Sequence, residues 1–325
     1  MKTRNFGKES IPVSEVGLGT WQIGGAWGDV SQDESLAILR EAHDNGVTFF
    51  DTANVYGDGR SESLIARFLK ESGAKNVFVA TKCGRGPDFP DVSPVILRAH
   101  TEASLQRLGV ESLDLTQLHC VPTEELRRGE VFETLRQLKS EGKIKRFGAS
   151  VESNEEALIC LQHDDLASLQ IIFNIFRQKP ITELFDEAQQ KGVALIVRLP
   201  LASGLLSGKM SKDTQFGADD HRNFNQNGES FNVGETFAGL PFEKGVEIAD
   251  KIKKLVPDGL TMAQMSQRWI LDFPAVTTII PGASKSSQVQ SNVSVSELPP
   301  LGEELHAKLR DLYQTGVKEF IRGPY

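Results

Sequence analysis

The chain has few means of cross-linking itself. Its 325 residues include three cysteines, Cys83, Cys120 and Cys160. None forms a Cys-x-x-Cys pair, and the odd number argues against the disulfide framework of a secreted domain. Long apolar runs are missing as well. None approaches the ~20 residues that a membrane-spanning helix needs. The segment from Met1 to Ser10 is polar and lacks an apolar stretch of signal-peptide length. These absences predict a cytoplasmic protein. Positive charge is in deficit, with 36 Lys and Arg against 44 Asp and Glu, a net charge of -8. That balance excludes nucleic acid and anionic membrane as main partners, while leaving room for a local basic pocket. The usual dinucleotide fingerprint is also absent. Gly17-Leu18-Gly19 opens like Gly-x-Gly-x-x-Gly, but its sixth position is Gln22. Gly19 to Gly24 has phosphate-loop spacing, with Gly25 where the lysine should stand.

What is present is ordinary for a globular enzyme: 39% apolar and 25% charged residues. A chain of this length buries roughly three quarters of its unfolded surface and needs no disulfide or metal staple. Short apolar runs alternate with helical patterns. Strands are predicted at Glu15–Gly19, Val47–Asp51, Val77–Lys82, Leu113–His119, Phe147–Ser150, Leu169–Phe173, Ala194–Arg198 and Val276–Ile280. Helices are predicted after the Ser31 to Glu34 capping box, over Ser61–Lys70, Pro94–Leu108 and Val131–Glu141, from about Asn154, and over Thr182–Gln190. Near-continuous apolar strands are buried on both faces, as in a parallel sheet. Eight of them in one chain predict an α/β fold, a single (β/α)8 TIM barrel over residues 1–325 with extra C-terminal helices. A stretch after strand seven, 208–241, breaks the rhythm. Its Phe216, Phe224, Phe231 and Phe237 suggest an active-site lid, the alternative being a floppy surface insertion.

The chemistry gathers at strand ends. Strand two ends in Asp51 with Tyr56 five residues on, strand three in Lys82, strand four in His119. In a barrel these ends converge at one mouth. Singly, each has a bland explanation: a turn-capping acid, a loop aromatic, a structural histidine. A lysine closing an apolar strand is the hardest to explain so, because it is seldom buried unpaired. Together they suit carbonyl reduction. Lys82 would lower the pKa of Tyr56, Asp51 would hold Lys82, and His119 would orient a carbonyl oxygen. A hydride must then come from a cofactor. Barrels bind phosphate at the loops after strands seven and eight. Here those read Leu201-Ala202-Ser203-Gly204-Leu205-Leu206-Ser207-Gly208 and Pro281-Gly282-Ala283-Ser284-Lys285-Ser286-Ser287. Both are small and rich in hydroxyls and backbone donors, although ordinary turns can look the same.

Phe50-Asp51-Thr52-Ala53-Asn54-Val55-Tyr56-Gly57, Ala80-Thr81-Lys82-Cys83-Gly84 and Gln117-Leu118-His119 resemble the three catalytic motifs of the aldo-keto reductase superfamily. Gly17 to Trp21 resembles its first strand, and Pro200 to Lys209 and Ile280 to Lys285 its two cofactor loops. The likeness is greatest to bacterial-type members with a long loop after strand seven. It implies NAD(P)H-dependent reduction of aldehydes or ketones, with Tyr56 as general acid helped by Lys82 and Asp51, and with His119 orienting the carbonyl. It implies cofactor contacts from Gly19, Thr20, Trp21 and Asp51, with Ser150 and Gln170 on the carboxamide. Arg198, Pro200, Leu201, Ser203, Gly204, Leu205, Ser207 and Lys209 would line the nicotinamide and pyrophosphate. Gly282, Ser284, Lys285, Gln288 and Asn292 would sit toward the adenosine end. NADP(H) is expected over NAD(H), and no metal.

Three departures stand out. Val151 follows Ser150 where the family often has Asn. Arg198 occupies the place of an aromatic that stacks on the nicotinamide. Gln288 occupies that of an arginine for the 2′-phosphate, which Lys285 could replace as a point charge. Trp21, Trp27, Trp269 and the loop phenylalanines are candidates for a pocket around a small-molecule carbonyl. Cys83 and Cys120, next to Lys82 and His119, read as packed small side chains, with a redox-sensitive thiol as the alternative. Two rival functions remain in view: a Schiff-base barrel enzyme using Lys82, and a nucleotide-sensing partner subunit with little turnover.

Overall fold

The computed structural model describes residues 1–25, 30–218 and 220–325. Trp27 lies outside the described residues. The first two strands, β1 (Thr3–Phe6) and β2 (Ile11–Ser14), pair as an antiparallel hairpin. The remaining strands are β3 (Leu18–Gly19), β4 (Phe49–Asp51), β5 (Phe78–Cys83), β6 (Leu115–His119), β7 (Phe147–Ser150), β8 (Ser168–Ile172), β9 (Ala194–Arg198) and β10 (Val276–Ile279). These eight run parallel in the order β10-β9-β8-β7-β6-β5-β4-β3. Parallel bridges Val16–Ile279 and Gly19–Gly282 join the two edges. The Gly17 N–H donates to the Ile279 carbonyl at 2.8 Å and closes the ring of backbone bonds. The (β/α)8 barrel expected from the apolar runs is the fold observed.

Helices follow most strands for local reasons. Ser31 accepts the Glu34 N–H and starts the helix Gln32–Asp44. Pro94 sits in the first turn of Pro94–Leu108, and Gly109, in the left-handed region, ends it. The pattern over 182–190 resolves into two short helices, Pro180–Glu183 and Phe185–Gln190. They meet at Leu184, whose backbone is not helical.

The core has two parts. A large one lies between sheet and helices. A small one fills the barrel: Phe49, Phe78, Ala80, Leu115, Ala194, Ile196 and Ile280, with Phe6 and Val13 from the hairpin. Phe6 lies 5.9 Å from Phe49 and 4.9 Å from Phe78, ring centre to ring centre. The hairpin thus plugs the amino-terminal end of the barrel. Apolar periodicity gave no warning of it, because two strands of four residues are too short to carry a pattern. The other end holds the polar groups.

The stretch 208–241 carries short helical turns, His221–Phe224, Val233–Glu235 and Phe237–Gly239. It packs against the barrel. Phe237 is fully buried, with Phe216 and Phe242 centred 5.7 and 5.0 Å from it. Arg322 clips the stretch from the C-terminal side, donating to the carbonyls of Gly239, Gln226 and Leu240.

Candidate active site

Two glycines place the tyrosine. Gly57 has φ +62°, and a Cβ there would lie 2.0 Å from the Gly24 carbonyl oxygen. A Cβ on Gly24 would lie 2.8 Å from the Tyr56 carbonyl carbon. Only bare backbone allows the turn after β4 to cross this closely, and the crossing directs Tyr56 over the barrel mouth. Behind it, the Thr20 hydroxyl donates to the Asp51 carbonyl at 2.7 Å, and Ser61 and Thr52 extend the buried hydroxyl chain. Thr20, a candidate cofactor contact, therefore uses its side chain to hold the end of β4.

The four expected residues meet. Lys82 Nζ donates to Asp51 Oδ1 at 2.7 Å, to the Thr52 carbonyl at 2.8 Å and to Tyr56 Oη at 3.3 Å. Lys82 is 1% exposed and Asp51 2%, so each charge needs the other. Gln170 and Gln117 donate to the second Asp51 oxygen at 2.7 and 3.4 Å. His119 stands edge-on to the Tyr56 ring, centre to centre 6.1 Å. Its Nδ1 is buried with no hydrogen-bond partner among the described residues.

Burial pulls the Lys82 ammonium down, but Asp51 and Tyr56 together raise it above its ordinary value. This lysine stays a cation with three partners, which removes the free amine that Schiff-base chemistry requires. The Tyr56 phenol departs from expectation. Burial raises its pKa, Lys82 lowers it by less, and the net result is above the ordinary tyrosine value. The lysine offsets a desolvation penalty without overcoming it, so Tyr56 carries its proton at neutral pH. Burial, then Arg85, Lys82 and Arg198, hold His119 well below the ordinary histidine value. It is a neutral imidazole. With Nδ1 unpartnered, Nε2 is the better place for the single proton, as a donor to an incoming oxygen.

A second polar cluster adjoins the first. Arg198 Nη2 donates to the Val151 carbonyl at 3.1 Å and lies 3.6 Å from Cys120 Sγ. Its Nη1 faces Glu235 Oε2 at 3.3 Å. Arg85 Nη2 reaches Glu152 at 3.1 Å and Glu235 Oε1 at 3.2 Å. Ligand atoms of Cys120, Glu152 and Glu235 lie within 4.8 Å of one another, but the two guanidiniums already serve as counter-ions to the two carboxylates. Arg85, Glu152 and Glu235 were not among the residues picked out from sequence. Arg85 and Glu152 lie just past the ends of β5 and β7, a usable signal. Glu235 comes from the irregular stretch and has none.

Strain gathers here too. Among the described residues, non-glycine positions with positive φ include Cys120, Leu199, Ala202, Ser203, Phe237 and Ala238. Such backbone persists only where its surroundings enforce it. Ser203 Oγ donates to the Glu235 carbonyl and accepts the Phe237 N–H, both at 3.2 Å. The stretch 208–241 is thereby tied to the loop after β9.

The other candidates are placed as follows. The Ser150 hydroxyl is 3.4 Å from Gln170 Oε1 at the ends of β7 and β8. Trp21 packs on Tyr56 (6.0 Å) and on His221 (4.8 Å), with Phe231 at 6.2 Å, and forms an aromatic wall beside the phenol. Trp269 belongs to the core instead, 1% exposed against Phe173 and Phe273. A Cβ on Gly19 would lie 2.7 Å from the Ile280 carbonyl oxygen, and one on Gly282 would overlap Gln22. Pro200 and Leu205 are buried and Leu201 is half-buried, while Ser207 accepts the Lys209 N–H. Lys285 is exposed at the start of the helix Ser286–Val293. The Ser284 N–H and hydroxyl donate to Gln288, and Asn292 is buried against Gln267 and Gly282. Asn292 thus braces the loop after β10 from beneath. Cys83 and Cys120 are buried with thiols pushed up to about 12 by that burial, which is the state of packed side chains and not of reactive thiolates.

Comparison with known proteins identifies the family. The model of the Aldo/keto reductase family matches residues 15–314. A curated relative, the NADH-specific methylglyoxal reductase of Escherichia coli (strain K12), is 30% identical over 90% of this chain and 93% of its own. The structure of the glycerol dehydrogenase AKR11B4 from Gluconobacter oxydans superposes with a TM-score of 0.80 at 32% identity, covering 100% of this chain and 98% of that one. An aldo-keto reductase from Klebsiella pneumoniae, solved in complex with NADPH, gives 0.71 at 25% identity over 96% and 95% of the two chains. The chain belongs to the aldo/keto reductase family of NAD(P)H-dependent, carbonyl-reducing oxidoreductases.

Proposed function

We propose that Tyr56 is the proton donor in reduction of an aldehyde or ketone, with Lys82 and Asp51 behind it and His119 Nε2 directing the carbonyl oxygen. The observation that carries this is the Asp51–Lys82–Tyr56 chain of contacts at 2.7 and 3.3 Å beside a neutral His119. A reduced nicotinamide, when bound, would supply the hydride. Tyr56 releases its proton to the developing alkoxide, and the fixed ammonium of Lys82 stabilises the phenolate left behind. Ser150 and Gln170 are suited to a carboxamide. Arg198 is suited to face the nicotinamide ring, and the strained segment around Ser203 to follow the pyrophosphate. The small residues of the loop after β10, with Lys285, suit the adenosine end.

NADP(H) is the preferred cofactor in this reading. Lys285 supports it as an exposed cation at a helix start, and so does the Klebsiella pneumoniae complex. The E. coli relative is named NADH-specific, so the choice needs both cofactors in the assay. The stretch 208–241 serves as a lid, with Trp21 and Phe231 lining the substrate side. Titration with NADPH and with NADH, followed by turnover on an aldehyde panel, tests the proposal. Oxidation of a tightly bound cofactor is the expected result. Tight binding without turnover on any aldehyde would favour a nucleotide-sensing role, and absence of binding would remove the cofactor assignment.

A further inference from the structure

We propose that Glu235 is a charge-compensating positioning residue: its carboxylate neutralises Arg198 and Arg85, so that a nicotinamide facing Arg198 can become a cation. The inference rests on the reading above that places the nicotinamide against Arg198.

The problem it addresses is electrostatic. Arg198 ends β9 at 9% exposed, and its side chain reaches Val151 and Cys120, just past the ends of β7 and β6. A guanidinium there offers a flat face to a ring, but it also brings a full positive charge. In the reaction a hydride passes from the ring to the carbonyl carbon, and the Tyr56 proton passes to the oxygen. The carbonyl is reduced by two electrons and the ring is oxidised by two. The ring thereby changes from neutral to cationic. A bare arginine beside it would hold the reduced form in preference to the oxidised one, and would oppose the charge that grows in the transition state.

Glu235 is the carboxylate that answers this charge. One of its oxygens faces Arg198 at 3.3 Å and the other faces Arg85 at 3.2 Å. The second acid, Glu152, is bound by Arg85 and by Asn232. Glu235 therefore bridges both arginines. It is 5% exposed, where solvent screens little. Its backbone is pinned by Ser203, so the charge is fixed in place and does not wander on a loop.

The test is a fluorescence titration with NADPH and with NADP+ on three proteins: wild type, Glu235→Gln, and the double variant Arg198→Met/Glu235→Gln. Glutamine keeps the shape and one hydrogen bond but carries no charge. The ratio of the NADP+ to the NADPH dissociation constant is expected to rise by about tenfold in the single variant. It should return toward the wild-type ratio in the double variant, where the cation is gone too. A merely structural role would weaken both forms in parallel, and that result, or an unchanged ratio, would overturn the proposal. If wild type binds neither form, the nicotinamide assignment itself falls and takes this inference with it.

Discussion

Two buried ionic clusters share the barrel mouth, and they are built in opposite ways. The Asp51–Lys82 pair joins the ends of adjacent strands β4 and β5, and its parts are close to rigid backbone. The Arg85–Arg198–Glu152–Glu235 cluster draws on four separate segments, one of them irregular. The first pair is one cation against one anion, 2.7 Å apart. The second contains two acids that compete. Burial and Glu235 raise Glu152 to about 7, while the two arginines hold Glu235 low against the opposing effect of burial. In the proposed reaction, the pair that steadies the proton donor is anchored on strands, and the cluster that would face a large, charged, exchangeable cofactor is built partly on a loop.

The sharpest way to break the first cluster is at its working end. Tyr56→Phe should lower kcat by roughly 10²–10⁴-fold, the range for loss of a general acid. NADPH affinity should barely change, because the phenol acts in the transition state; steady-state kinetics with a parallel cofactor titration would measure both. Lys82→Met should come next, destabilising the fold by about 3–5 kcal/mol through an uncompensated Asp51, as read by chemical denaturation. Phe6→Ala probes the opposite end of the barrel. It should cost a comparable ~3–5 kcal/mol of stability with KM for substrate unchanged, since the plug is remote from the mouth.

The smallest effect sharpens the comparison through pH. Glu152 ionises near 7 in the folded chain against 4.5 ordinarily. The folded state therefore holds a proton that the unfolded state has lost, and wild-type stability should decline as pH rises from about 4.5 to 7. Glu152→Gln should remove that slope. Melting temperatures of the two proteins from pH 5 to 8 should diverge in the variant's favour, and parallel curves would contradict the assignment.

The first cluster was legible in the sequence because its residues terminate apolar runs. Phe147–Ser150 and Ala194–Arg198 emerge with the expected bounds, since a fully buried strand leaves an unbroken apolar string. Asp51, Lys82 and His119 each close such a string. The raised Tyr56 pKa was not legible, because it depends on how much water the fold excludes. Glu235 was not legible either, since its role arises from contacts 37 and 150 residues away in sequence, with Arg198 and Arg85. Strand ends announce themselves locally, whereas loop contacts exist only once the chain has closed around them.

The most direct test of the central claim is a single-turnover measurement of bound NADPH oxidation by a reactive aldehyde, in wild type and in Tyr56→Phe. The account predicts that both proteins bind the cofactor with similar affinity and that only wild type oxidises it rapidly. Equal rates in the two proteins would contradict it, because the proton would then come from a group other than the tyrosine that Lys82 and Asp51 hold in place.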